Sequence, residues 1–113
     1  MLRLTAALLL LTAALPFAAV GDEFRAVAAT DKQWRPEGAQ LTLELALHIA
    51  EAKAIENHAR LSDDLPPQFR YEHDKTLGYV WVFVYTGKVP MPGNHFAVFV
   101  NDRTRNARFV PGE

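Results

Sequence analysis

Residues 78–86 organise the hydrophobic pattern of this chain. The stretch reads Gly-Tyr-Val-Trp-Val-Phe-Val-Tyr-Thr and carries no charge. β-Branched and aromatic residues bounded by Gly78 and Gly87 favour a strand. A period of two places the valines on one face and the aromatic side chains on the other, namely Tyr79, Trp81, Phe83 and Tyr85. Because both faces are apolar, we predict a central strand of a covered sheet.

A helical pattern precedes this strand, from about Thr42 to Arg60. Thr42 is a suitable N-cap, and Glu44 lies in the first turn, where the helix dipole favours an anion. At 100° per residue, one arc of the helix is apolar and should pack on the sheet. That arc comprises Leu43, Ala46, Leu47, Ala50, Ala54 and Leu61.

Three further segments alternate in the manner of strands, at residues 68–73, 95–101 and 107–110. Residues 24–27 could add a short edge strand. The element order predicts an α+β domain with one main helix packed on a four-stranded antiparallel meander sheet. One helix covers only one face of such a sheet. We therefore expect the N-terminal arm, a second copy of the chain or a partner protein to shield the other face.

The first 21 residues have the layout of a secretory signal peptide. Arg3 makes the amino end positive, an uncharged leucine- and alanine-rich run follows, and Ala19-Val20-Gly21 precedes a cleavage point at Asp22. An uncleaved membrane anchor is the alternative. We predict a signal peptide at 1–21, an N-terminal arm at 22–40 and one α+β domain at 41–113. We predict a periplasmic or secreted protein. It would contact the membrane only through its signal peptide, before cleavage.

Composition narrows the function classes. The chain has no cysteine, so an exported destination comes without disulfides. Its net charge of −1 would become −2 after cleavage, which gives no argument for nucleic acid as a partner.

Candidate chemistry is sparse. Glu44, His48 and Glu51 share one helix face and could reach one cation, but a solvated helix flank explains them as well. Ser62, Asp63 and either His73 or His95 supply the residue types of a serine-histidine-aspartate catalytic arrangement. Ser62 lacks the flanking glycines of a nucleophile elbow, however. We predict no catalytic residues, no metal site, no cofactor and no enzymatic activity.

The loop from Gly87 to His95 is the best candidate for binding. It holds two apolar side chains between prolines at the end of two strong strands, and a stiff loop loses little order on binding. The alternative is that Val89 and Met91 fold back onto the sheet edge. The predicted partner-binding residues are Lys88, Val89, Pro90, Met91, Pro92 and His95, together with Tyr79, Trp81, Phe83 and Tyr85 of the central strand.

Three features between Leu41 and Val110 form a familiar combination, namely Leu41-Thr42 before an alanine-rich helix, the Trp-Val-Phe-Val strand at 81–84, and residues 96–104. In this combination the region resembles the small exported PepSY-like domains. The hairpin Asn101-Asp102-Arg103-Thr104 fits the family pattern, while Arg105-Asn106 stands where that pattern has glycine. The layout is also similar to immunity proteins with a fold like that of nuclear transport factor 2. Both resemblances imply a non-enzymatic domain that binds or restrains another protein, often a hydrolase.

These observations predict an exported protein-binding domain, of the inhibitor or immunity type, that restrains an envelope-acting hydrolase or toxin. A self-associating structural envelope protein, buried as a homodimer, is the second class. A metal-binding or enzymatic domain is the third.

Overall fold

The computed structural model describes residues 23–76 and 78–112, and within them the chain forms an α+β fold. One α-helix, α1, packs on a five-stranded antiparallel sheet whose strand order follows the chain. The elements are β1 (Arg25–Ala26), α1 (Leu43–Glu56), β2 (Gln68–Asp74), β3 (Gly78–Thr86), β4 (His95–Asn101) and β5 (Ala107–Pro111). The predicted signal peptide at 1–21 lies outside the described residues.

The sheet has five strands rather than the predicted four. The added strand, β1, is only two residues long and pairs with Gln68 and Phe69 at the start of β2. A two-residue strand has no periodicity of its own, so pairing with β2 defines it. The segment predicted as an N-terminal arm thus supplies the sheet edge, and it adds Val27 and Ala39 to the hydrophobic core.

Helix α1 begins where the sequence predicts. The Thr42 hydroxyl accepts a hydrogen bond from the Leu45 amide at 3.2 Å, which is N-capping. The predicted apolar arc is buried, with the helix's own members Leu43, Ala46, Leu47, Ala50 and Ala54 all inside. No helix in the part of the chain that the structure describes combines the length and hydropathy needed to cross a membrane.

The helix ends at Glu56, four residues earlier than predicted. His58 adopts a left-handed conformation with φ of 70°, and its amide donates to the Ile55 carbonyl at 2.9 Å. The Ala59 amide donates to the Ala54 carbonyl at 3.0 Å. These two bonds form a Schellman motif, which closes a helix. Glycine is the usual residue at this position, and its replacement by histidine hid the helix end in the sequence.

The aromatic face of β3 is the one that α1 covers. Trp81 and Phe83 are fully buried and Tyr85 is 2% exposed. They pack with the helix arc and with Phe69 of β2, Val98 and Val100 of β4 in one core cluster. The prediction that Trp81, Phe83 and Tyr85 form an exposed partner-binding face is therefore wrong for the folded chain, because the helix covers that face. Tyr85 nevertheless lines a surface cleft.

The valine face is covered without a second layer. Val80 and Val82 are 3% and 2% exposed. Their cross-strand neighbours on β2 are Glu72 and Arg70, whose side chains form an ion pair at 2.7 Å. The methylene stems of long charged side chains cover apolar surface in this way. Val80 and Val82 therefore do not need a partner protein or a second copy of the chain to shield them from solvent.

The carboxylate of Asp102 links the sheet to the start of the helix. It accepts hydrogen bonds from the Gln40 amide at 2.7 Å, the Leu41 amide at 3.0 Å and the Trp81 indole nitrogen at 3.0 Å. Asp102 is 3% exposed and belongs to the turn between β4 and β5. Its own amide donates to the Tyr79 carbonyl at 3.0 Å. One side chain thus fixes the turn, the central strand and the helix entry together.

Replacing Asp102 with alanine should lower the free energy of unfolding by about 3 kcal/mol, because two buried donors and one partly buried donor would lose their acceptor. Asp102→Asn keeps one carbonyl oxygen and should cost about half as much. Equilibrium urea unfolding followed by circular dichroism measures both changes. A loss below about 1 kcal/mol for the alanine variant would contradict this role.

Candidate functional site

Three exposed apolar side chains occur on two segments at the end of the sheet where β3 finishes. Leu65 is 48% exposed, Val89 is 63% exposed and Met91 is 59% exposed. We refer to Leu65, Val89 and Met91 as the apolar end patch. Large apolar side chains that expose about half of their surface together are typical of interaction sites.

Backbone hydrogen bonds hold the two segments of the apolar end patch side by side. The Leu65 amide donates to the Thr86 carbonyl at 2.8 Å, and the Lys88 amide donates to the Asp63 carbonyl at 2.9 Å. Asp64 and Gly87 form an antiparallel bridge between these bonds. The segment before β2 is therefore docked on the end of β3, beside the loop that follows β3.

The loop between β3 and β4 is closed by Asn94. The Gly87 amide donates to the Asn94 carbonyl at 2.8 Å, and the Asn94 side-chain amide donates to the Val89 carbonyl. A Cβ atom at residue 87 would collide with the Asn94 side-chain amide, so any side chain there would displace Asn94 from this position. The loop thus has internal bonds that fix its shape, which reduces the order lost on binding.

The predicted loop residues are all accessible. Lys88, Val89, Pro90, Met91, Pro92 and His95 are exposed, so Val89 and Met91 do not fold back onto the sheet edge. Tyr79 is 43% exposed, but it lies at the opposite end of β3 and stacks on Tyr71 with 5.1 Å between ring centroids. The structure therefore separates Tyr79 from the loop.

A cleft of about 340 Å³ lies next to the apolar end patch. Tyr85 of β3 and Glu51 of α1 line it, together with Asp64, Leu65 and Lys88. We call it the Tyr85 cleft. The sequence does not predict this cleft, because Tyr85 is predicted to face a partner directly and Glu51 is grouped with Glu44 and His48 of its own helix rather than with Tyr85 and Asp64.

The Tyr85 hydroxyl is buried and has no hydrogen-bond partner among the described residues. Burial raises the pKa of Tyr85 above its ordinary value of 10.0, and the nearby carboxylates of Glu51 and Asp64 raise it further. Burying a hydroxyl without a partner costs free energy.

The Asp64 carboxylate is also in an unfavourable environment. Burial and then the Asp63 carboxylate raise the pKa of Asp64 above its ordinary value of 3.8, while the Lys88 ammonium lowers it. The Tyr85 cleft therefore contains two polar groups that folding leaves poorly compensated.

The other candidate ligand and catalytic residues do not come together in one site among the described residues. Glu44 accepts a hydrogen bond from the Gln33 side chain, and His48 lies 4.0 Å from Glu51, so the helix flank has ordinary pairings. No group of three or more histidine, aspartate or glutamate side chains in residues 23–76 and 78–112 is placed to hold a metal ion. Ser62 lines the Tyr85 cleft, whereas His73 packs on Tyr79 at the far end of the sheet.

Two other clefts are comparable in size. One, of about 390 Å³, lies on the other side of Asp63 and Asp64 and is lined by His58, Arg60 and His95. The other, of about 380 Å³, lies on the valine face with Arg103 and Arg108 at its rim. Neither is lined by a buried hydroxyl that lacks a partner among the described residues.

No family model, curated protein or solved structure matched the chain. The resemblance to PepSY-like domains and to immunity proteins stays a prediction. At the position where the PepSY-like hairpin pattern has glycine, Arg105 adopts φ of 67°, the left-handed region that favours glycine.

Tyr85→Phe should raise the free energy of unfolding by about 1 kcal/mol, because it removes a buried hydroxyl without a partner. Tyr71→Phe should do the same, since the Tyr71 hydroxyl is also buried and unpartnered among the described residues. Thermal unfolding followed by circular dichroism tests both. A lower melting temperature in Tyr85→Phe would show that its hydroxyl already makes a stabilising contact.

Asp64→Asn should raise the melting temperature at pH 7 and have little effect at pH 3. A carboxyl whose pKa is raised by folding favours the unfolded state wherever it is ionised, and this penalty disappears as both states become protonated. Melting curves at the two pH values measure the difference. The matched control Asp31→Asn, at an exposed turn away from the cleft, should not show this pattern. An equal effect of Asp64→Asn at both pH values would contradict the prediction.

Proposed function

We propose that this chain is an exported domain that binds another protein through the apolar end patch and restrains it. The observation that carries the proposal is the exposure of Leu65, Val89 and Met91 on two segments fixed by backbone hydrogen bonds. A rigid apolar surface loses little conformational entropy on association, so it favours binding of a folded partner.

The proposed partner is a hydrolase or toxin that acts in the cell envelope. Export rests on the signal-peptide pattern of residues 1–21, and restraint rests on the resemblance to PepSY-like and immunity domains. The rigid end of the sheet is compatible with such a role, because inhibitors of enzymes often use loops that a scaffold holds in one conformation.

Self-association is a weaker candidate on this structure. Val80 and Val82 are buried beside the Arg70–Glu72 ion pair, and the aromatic face is covered by α1. A homodimer that used the apolar end patch would compete with the partner for that surface.

Substituting both Val89 and Met91 with alanine should reduce partner capture at least about tenfold, since truncation of a central apolar anchor costs at least 1–2 kcal/mol. The measurement is affinity capture from an envelope extract, with bound proteins quantified by mass spectrometry. The tagged protein is expressed from the full-length coding sequence.

The matched control is the double variant Leu45→Ala and Ile55→Ala. These two side chains of α1 are 44% and 59% exposed. Their replacement removes a similar exposed apolar area at a distance from the patch. Equal capture by both double variants would overturn the proposal. A stable dimer in sedimentation that the patch variant dissociates, with no second protein captured, would favour self-association instead.

A further inference from the structure

The Tyr85 cleft combines three features, of which the first, its volume, is shared with the two other clefts described above. Its volume of about 340 Å³ falls within the usual range of ligand-binding clefts, roughly 300–1,000 Å³. Tyr85 contributes a hydroxyl that is buried and unpartnered among the described residues. Leu65 belongs both to the cleft lining and to the apolar end patch, so a protein on the patch would cover the cleft mouth.

The charge of the Tyr85 cleft favours a cation. Its lining holds the carboxylates of Glu51 and Asp64 against one ammonium group, that of Lys88. The neighbouring charged groups are Asp63, which raises the pKa of Asp64, and Arg60, which lines the next cleft together with Asp63 and Asp64. His48 lies 4.0 Å from Glu51. An anion would meet two carboxylates in this space, so anionic ligands are disfavoured.

The apolar walls of the cleft favour a cation that carries a hydrocarbon chain. Leu61, Leu65, Pro66 and Pro67 form these walls. The oxygen-bearing side chains of the cleft do not form a group of three or more histidine, aspartate or glutamate ligands among the described residues, which a bare metal ion would need. Lysine and arginine side chains combine a positive head with an apolar stem, and their stems pack on such surfaces.

We propose that the Tyr85 cleft takes up a lysine or arginine side chain of the protein that contacts the apolar end patch. The head group donates hydrogen bonds to the Tyr85 oxygen and to the carboxylates of Glu51 and Asp64. The stem packs on the leucine and proline walls. The inference rests on the proposed function and specifies the partner's chemistry, namely a basic side chain beside an apolar contact surface.

The structure also supplies a matched control for the hydroxyl. Tyr71 carries a second buried and unpartnered hydroxyl, but the cavity that Tyr71 lines measures only about 70 Å³ and lies beside Trp34 and Phe69. That space is too small for a basic side chain. Tyr71→Phe therefore removes the same chemical group from a site where no ligand group can enter.

The test is a titration of ¹⁵N-labelled protein, expressed from the full-length coding sequence, followed by amide chemical shifts. The probes are the blocked peptides acetyl-Gly-Lys-Gly-amide, its arginine analogue and its uncharged norleucine analogue. The basic peptides should give saturable shifts at Asp64, Leu65 and Lys88, and the norleucine peptide should give none there. Tyr85→Phe should weaken binding of the basic peptides about fivefold, the value of one net hydrogen bond, and Tyr71→Phe should leave it unchanged.

Equal shifts from the norleucine and basic peptides, or equal weakening by the two tyrosine variants, would overturn the cation site. That result leaves the proposed function standing if capture still depends on Val89 and Met91. The opposite result is also informative. If the basic peptides bind and the norleucine peptide does not, while partner capture is unaffected by the Val89 and Met91 substitutions, the cation site is supported and the proposed function is overturned.

Discussion

The fold depends on the hydrogen bonds that converge on the Asp102 carboxylate. Its two oxygens accept from the amides of Gln40 and Leu41 and from the indole of Trp81. Bonds to a carboxylate are stronger than bonds between neutral groups, and a buried carboxylate without them would be very costly. Because Gln40 and Leu41 immediately precede the N-cap, these bonds set where α1 begins relative to the central strand.

This constraint explains how one helix suffices for a sheet that is apolar on both faces. Once α1 is anchored above Trp81, its arc of leucine and alanine lies on the aromatic side of β3. The opposite side is left to the neighbouring strands, where the Arg70–Glu72 ion pair and Arg108, stacked 4.7 Å above the Phe99 ring, provide cover. A helix thus covers one face of the sheet, and charged side chains cover part of the other, where Val84 and Phe99 stay half-buried.

The two ends of the sheet differ in how well their carboxylates are compensated, although each end holds a buried tyrosine hydroxyl without a partner among the described residues. At the Asp102 end, the carboxylate accepts three hydrogen bonds. At the other end, the Tyr85 hydroxyl lacks a partner among the described residues, and the Asp64 carboxylate has a raised pKa. Sites that bind ligands commonly contain groups that are poorly compensated in the free protein, because the ligand completes their interactions. Exposed apolar side chains at the same end strengthen the case for an interface there.

The sequence by itself determined the features that depend on local periodicity and turn chemistry. These are the strand at residues 78–86 and the helix with its Thr42 cap and buried arc. The sequence left open whether Val89 and Met91 are exposed or fold back onto the sheet edge. Tertiary structure decided everything that depends on contacts between distant residues. The bond from Gln40 to Asp102 spans 62 positions, and a short strand such as β1 exists only because β2 pairs with it. The alternating residues of β3 showed that both of its faces are apolar. Only the hydrogen bonds that anchor α1 decided which face joins the core. The same packing placed Tyr85 in the lining of a cleft.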